Sequence, residues 1–254
     1  MTSDKGLSAM QNKITQAVLL SAGLGTRLLP LTEDVPKVML PIGGKPLLEW
    51  HIERLKSFGV SEFFINLFYL PEVVRNYFED GSRWGVHIDY CLEEPAIRGT
   101  AGGVKDFEGK LRGDFFVCYG DVFSRVDLGK MRDAFYSRPG AVGMTVVGDT
   151  DHPEDSDLVE VADDVRFIKI HPKPHSALPS RYKAMRAAAF IFNERILGYI
   201  PANAYYEIDH QLLPDVLSKG EKFYGYETKE YLKDIGTMER YKQVEEYVSK
   251  NPRE

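Results

Sequence analysis

The chain has 254 residues, room for one large α/β domain with a sizeable core or for two small ones. Its 32 Lys and Arg against 38 Asp and Glu give a formal net charge of -6, which argues against a general nucleic-acid binder, a role that needs a basic face. No apolar run approaches ~18 residues, so no helical membrane span is expected, and the opening MTSDKGLSAMQN lacks the apolar core of a signal peptide, which makes a cytoplasmic protein the expectation.

Residues 1–14 read as a flexible tail and 15–254 as a single domain. The first half alternates. AVLLSA (Ala17–Ala22) is a continuous apolar run of the kind a buried parallel strand shows. PLLEWHIERLKSFG (Pro46–Gly59) follows, with Leu48, Ile52, Leu55 and Phe58 at helical spacing and Gly59 as a stop. Next come a strand at Phe63–Phe68, a helix at Pro71–Glu79, a strand at His87–Leu92, a short helix near Thr100–Phe107 and a strand at Phe115–Asp121. A helix at Val126–Ser137 and a strand at Val142–Gly148 continue the series. Strand and helix at this pitch mean right-handed βαβ units and a mostly parallel sheet. The second half differs: a hairpin at Val159–Pro174 turning at Asp163-Asp164, a strand at Arg186–Asn193, a helix at Glu207–Gly220 despite Pro214, and a short strand at Tyr231–Gly236. Thr237 is placed to cap MERYKQVEEYVSK, with Glu239 in its first turn. This half reads as a β-rich insertion.

Gly23 and Gly25 follow the first strand directly, where bare backbone N–H groups can approach a phosphate. A dinucleotide fingerprint would need a glycine at position 28, and Leu28 stands there; the Gly-Lys-Ser/Thr of a P-loop is absent. What remains is a glycine turn with Arg27, Lys37 and Lys45 behind it, and solvated lysines at a strand exit are the plain alternative. Cys91 and Cys118 lie in apolar runs without metal-ligand spacing and read as small buried hydrophobes. His51, His87 and His210 read as core histidines, and Tyr205 and Tyr206 as packing residues.

SAGLGTRLLPLT (Ser21–Thr32), PKVMLPIGGKP (Pro36–Pro46), DGSRWGV (Asp80–Val86), EEPAIRGTAGG (Glu93–Gly103), YGD (Tyr119–Asp121) and KDIGTMERY (Lys233–Tyr241) occur in this order. Together they resemble the sugar-1-phosphate nucleotidyltransferases, closest to the mannose- and heptose-1-phosphate guanylyltransferases. The resemblance implies a Rossmann-like three-layer fold of the nucleotide-diphospho-sugar transferase type, with a mostly parallel mixed sheet and a smaller β-rich sugar-binding insertion. It implies an enzyme joining a sugar 1-phosphate to a nucleotide from an NTP with release of pyrophosphate, partnered by neither nucleic acid nor membrane; a homo-oligomer is left open.

By the same resemblance, Ala22, Gly23, Leu24 and Gly25 lie against the nucleotide, while Arg27 and Lys37 neutralise the departing pyrophosphate. Asp121 and Asp234 would bind Mg²⁺, with turn-capping and N-capping as their plain alternatives. Lys173 would meet the sugar phosphate, although the family's Glu before it is Pro172 here. Arg186 and Ala188 replace the typical Asn or Thr and Gly of the sugar pocket, so Arg186 either meets a second anion on the sugar or points outward. Glu94, Gly99 and Thr100 fall in the base-reading segment. A carboxylate at Glu94 can accept from both N1–H and the exocyclic amine of guanine, which favours GTP over UTP, dTTP or CTP. A catalytically silent NDP-sugar-binding regulator is the rival from another class.

Overall fold

The computed structural model describes residues 13–175 and 177–251; most of the tail expected at residues 1–14 lies outside them. Ile14, assigned to that tail, is buried in the core. The strands are β1 (Gln16–Leu20), the two-residue pair β2 (Pro41–Ile42) and β3 (Lys45–Pro46), β4 (Glu62–Leu67), β5 (His87–Leu92), β6 (Asp114–Tyr119) and β7 (Val122–Ser124). They continue with β8 (Ala141–Gly148), β9 (Leu158–Val161), β10 (Phe167–His171), β11 (Tyr182–Asn193), β12 (Lys222–Glu227) and β13 (Leu232–Asp234). The helices are α1 (Leu47–Ser57), α2 (Pro71–Phe78), α3 (Gly99–Lys105), α4 (Leu128–Tyr136), α5 (Leu213–Ser218) and α6 (Met238–Lys250).

The main sheet runs β10-β9-β11-β6-β1-β4-β5, with β8 on β11 and β12 beside β8. β6, β1, β4 and β5 are mutually parallel, as are β8 and β12, whereas β11 is antiparallel to β6, β8 and β9. The expected hairpin forms as β9 against β10. From β1 the chain steps outward to β4 and β5, then returns to place β6 on the other flank of β1. That reversal opens a crevice between the carboxyl ends of β1 and β6, where open α/β sheets bind ligands.

Helices cover both faces. α1, α2 and α4 contribute Leu48, Ile52, Leu55, Val74, Phe78, Leu128, Met131 and Phe135 to one apolar layer. On the other face α3 and α5 bring Ala101, Val104, Leu213 and Val216 onto the Phe115, Phe190, Phe192 and Phe223 rings. This is the three-layer arrangement that the alternating pattern requires. A third, smaller core packs Leu28, Leu40, Ile42, Leu47, Phe123, Ile235, Val244 and Val248 beneath the carboxyl edge.

Several expectations need correction. The helix read at Glu207–Gly220 opens as a π-turn over Ile208–Leu212 and becomes α-helical at Leu213, with Pro214 in the first turn, where the missing N–H breaks no bond. Strand β12 was hidden because KFYGYE lies close behind a helix stop and carries a glycine. Cys118 is buried but Cys91 is only half-buried. His87 is exposed because it opens β5, the edge strand, where it sits 3.6 Å from Asp89. His210 is also solvent-facing, 3.1 Å from Asp157.

Thr237 caps α6 by accepting from the Arg240 N–H. Thr237→Ala should therefore cost about 1 kcal/mol in urea unfolding. A change within a few tenths would show that α6 is held by its Val244 and Val248 packing alone.

Candidate active site

The loop leaving β1 is shaped by Gly25, whose φ of 67° lies in the left-handed region that favours glycine. Its carbonyl accepts from the Leu28 N–H at 3.0 Å and from Thr32 Oγ1 at 2.9 Å, closing a tight turn over Thr26–Leu28. Leu28, the residue that excludes a dinucleotide fingerprint, is fully buried in the third core and anchors the loop there. Arg27 beside it reaches out toward Gly236. A Cβ on Gly236 would stand 2.9 Å from Arg27 Nη2 and 2.6 Å from Asp234 Oδ1, so guanidinium, glycine and carboxylate share one small space.

The two acids are brought together by the β7–β13 ribbon. Asp234 pairs in register with Val122, and the Ile235 N–H donates to the Asp121 carbonyl at 2.9 Å. Lys37 Nζ donates to Asp121 Oδ2 at 2.5 Å, with both side chains largely shielded. Asp234 accepts from Arg240 Nη1 on both oxygens, at 2.9 and 2.7 Å, and from the Gly236 N–H at 2.9 Å. Burial pushes the Asp234 carboxyl upward, but the Arg240 and Gly236 hydrogen bonds and the charges of Arg240 and Lys37 outweigh it, and the net direction is down. It remains a carboxylate.

Among the described residues no group of three or more His, Cys, Asp or Glu is arranged to hold a metal ion. A pair of aspartates still suits Mg²⁺, which keeps several waters and takes its other ligands from substrate phosphates. The donor set fits that ion in that mode.

A cavity of about 180 Å³ lies in the crevice between β1 and β6, lined by Leu20, Ala22, Gly23, Lys37, Val38, Asn66, Ile97, Gly99, Thr100, Tyr119, Asp121 and Glu207. Its floor is a buried polar chain. Asn66 Oδ1 accepts from the Ser21 N–H at 2.8 Å, and Asn66 Nδ2 donates to Glu93 Oε1 at 2.7 Å. Glu93 Oε2 in turn accepts from the Arg98 N–H at 2.7 Å, tying the loop after β1 to the loop after β5. Burial pushes the Glu93 carboxyl upward, opposed by these bonds. Gly103 must lack a side chain because a Cβ there would come 2.5 Å from Asn66 Nδ2. On the opposite wall Thr100 Oγ1 donates to Glu207 Oε2 at 2.7 Å, and Tyr119 donates to Asp209 at 3.1 Å.

Of the residues expected from the sequence, Ala22, Gly23, Lys37, Gly99, Thr100 and Asp121 line this cavity, and Arg27 and Asp234 adjoin Lys37 and Asp121. Leu24 and Glu94 are exposed and outside the lining, and Gly25 shapes the turn. Lys173 is also exposed; its Nζ donates to the Asp155 carbonyl at 2.8 Å. Lys45 is turned away, paired with Glu53 with its ammonium 4.0 Å from the Trp50 ring. Arg186 is half-buried against Gly148, with Nη1 3.5 Å from the Thr228 carbonyl. Asn66 and Glu207 were not singled out, yet a lone amide inside FFINLF is a signal: a polar side chain in a buried strand needs a partner.

The crevice, the glycine turn and the cation-flanked pair of aspartates define an α/β protein with its candidate site at the switch point of the sheet. A family model described as "Nucleotidyl transferase" matches residues 16–251, and the chain belongs to that family. It is 32% identical over 227 residues to a mannose-1-phosphate guanylyltransferase of Mycobacterium tuberculosis and 30% identical over 245 residues to a UTP--glucose-1-phosphate uridylyltransferase of Synechocystis. These alignments cover 89% and 90% of this chain but only 62% of either relative. The solved structure of HddC from Yersinia pseudotuberculosis superposes with a TM-score of 0.76 at 24% identity, covering 92% of this chain and all of that one, a likeness of fold.

Burial pushes the Asp209 carboxyl up to about 6, against the Tyr119 hydrogen bond and with the Asp157 charge adding to the rise. Between the ordinary Asp range and that value the folded state holds a proton the unfolded chain has lost, so this group lowers stability as pH rises through that window up to about 6, and the loss is constant above it. Asp209→Asn should leave stability nearly unchanged at pH 4 and raise it by about 3 kcal/mol at pH 8 in urea titrations. A loss at pH 8 would contradict this.

Proposed function

We propose that the chain transfers a nucleoside monophosphate from an NTP, GTP by preference, to a sugar 1-phosphate, releasing pyrophosphate and forming an NDP-sugar of the GDP-mannose or GDP-heptose type. The observation that carries this reading is the contact of Lys37 with Asp121 at the crevice, beside Arg27 and Asp234. Two anions must meet for the sugar phosphate oxygen to attack the α-phosphorus in line, so positioning and charge neutralisation are the main tasks.

In this account Ala22 and Gly23 admit the triphosphate against bare backbone, and Arg27 and Lys37 neutralise the pyrophosphate as it departs. Asp121 and Asp234 would hold Mg²⁺, which when bound would supply further neutralisation of phosphate oxygens. Glu94 would read the guanine edge from the loop after β5, and Gly99 and Thr100 would sit against the base or ribose. Lys173 would reach the phosphate of the sugar phosphate, exchanging the Asp155 carbonyl for it. The name of the Mycobacterium tuberculosis relative favours GTP, and that of the Synechocystis relative makes UTP the second reading. We place the protein in the cytoplasm, where NTPs are supplied; among the described residues no helix is long and apolar enough to cross a membrane.

Incubation with Mg²⁺, each NTP in turn and a panel of sugar 1-phosphates should release pyrophosphate, fastest with GTP. Absence of release with every pair would favour the silent regulator. Lys37→Met should lower kcat/KM by roughly 10²–10³, the scale for losing one charge-stabilising donor, and should also lower the melting temperature, because Asp121 loses its counter-ion. Unchanged turnover would remove Lys37 from the reaction.

A further inference from the structure

A second cavity, of about 480 Å³, opens between α1 and the segment after β7 and shares no lining residue with the first. Trp50, Phe58 and Phe123 give it aromatic walls, and Arg54, Arg125, Glu53, Asp127 and Glu230 bring charge.

The carboxylates here are all engaged. Glu53 pairs with Lys45 and Asp127 with Lys130, while Glu230 accepts from the Asp127 N–H at 2.9 Å and from Thr228 Oγ1 at 2.8 Å. The guanidinium groups are not. Arg54 donates Nη1 to the Ser124 carbonyl at 2.7 Å, but its Nη2 is buried without an acceptor. Arg125 has both Nε and Nη2 buried without an acceptor, its guanidinium 5.0 Å from the Phe123 ring and 5.2 Å from the Trp50 ring. Neither arginine has an ion-pair partner among the described residues. Burial pulls Arg54 down to about 10 and the Arg125 charge adds to the fall, while Cys118, Glu230 and Asp127 oppose it. His51, one turn before Arg54 on α1, is buried with Nε2 unpartnered.

Buried donors without acceptors are costly, and two such guanidinium groups around one cleft mark a place completed by a ligand. We propose that this cleft is a second anion-binding site, for a small phosphomonoester. Its phosphate lies between Arg54 and Arg125, whose planar forks suit phosphate oxygens. Its organic body lies against Trp50, Phe58 and Phe123. The volume is within the ~300–1,000 Å³ of small-molecule sites. The site does not depend on the transferase reading. It does border the strand that follows Asp121: the His51 ring lies against the backbone of Gly120 and Val122, and Ser124 and Arg125 continue from β7.

The chain has two tryptophans, so Trp84→Phe leaves Trp50 as the sole indole reporter beside Arg125. Titrating that full-length variant with glycerol 3-phosphate and with inorganic phosphate, against chloride at matched ionic strength, should give a saturable change in Trp50 emission for the phosphates only. Adding Arg125→Gln should weaken the apparent affinity roughly tenfold or more. Arg125→Lys, which keeps the charge and loses the fork, should fall between, and Lys37→Met should leave the titration unchanged. No saturable response, an equal response to chloride, or a response lost with Lys37→Met and kept with Arg125→Gln would each overturn the proposal.

Discussion

The contact between Lys37 and Asp121 is the constraint around which the site is arranged. It holds a cation and an anion together at the mouth of a parallel sheet, with both side chains mostly removed from water. Removing either partner would leave a shielded charge uncompensated, which is more costly than never having had the pair. The same pair is suited to exchange: a phosphate can take the lysine while a divalent cation takes the carboxylate. Arg240 stands to Asp234 as Lys37 stands to Asp121, so each acid carries its own counter-ion.

Much of the molecule serves to hold that contact in place. β6 delivers Asp121 to the carboxyl edge beside β1, and the β7–β13 ribbon carries Asp234 back to it across more than a hundred residues of chain. Leu28, Phe123 and Ile235, adjoining the site in sequence, all lie in the third core, so the glycine turn and both acid-bearing segments rest on one apolar support. On the other side the Ser21–Asn66–Glu93–Arg98 chain fixes the separation of two loops with directional bonds in a setting of low dielectric, where satisfied polar networks are stiff.

The fold was readable where burial gave a regular signal. Continuous apolar runs marked β1, β4 and β6, and Leu48, Ile52 and Leu55 marked α1, because those patterns follow directly from which faces meet the core. Of the charges singled out in the sequence, Lys37 and Asp121 line one cavity, and Arg27 and Asp234 meet at Gly236 beside it. What escaped was whatever depends on distant chain. The role of Asn66 is visible only with Glu93 and Ser21 beside it. The two-part helix around Pro214 and the parallel docking of β12 on β8 are set by tertiary packing, which overrides local preference. Lys173 and Glu94 lie on exposed loop segments outside the cavity lining, and the roles expected of them rest on motif position.

The central claim is that this lysine and these two acids form one phosphate-and-metal seat. The most direct measurement is the anomalous difference map of a crystal grown with Mn²⁺ and a non-hydrolysable GTP analogue. The account predicts one Mn²⁺ at about 2.2 Å from a carboxylate oxygen of both Asp121 and Asp234, with Lys37 turned from Asp121 onto a phosphate oxygen. A cation bound elsewhere, or Lys37 still on Asp121 with nucleotide present, would contradict it.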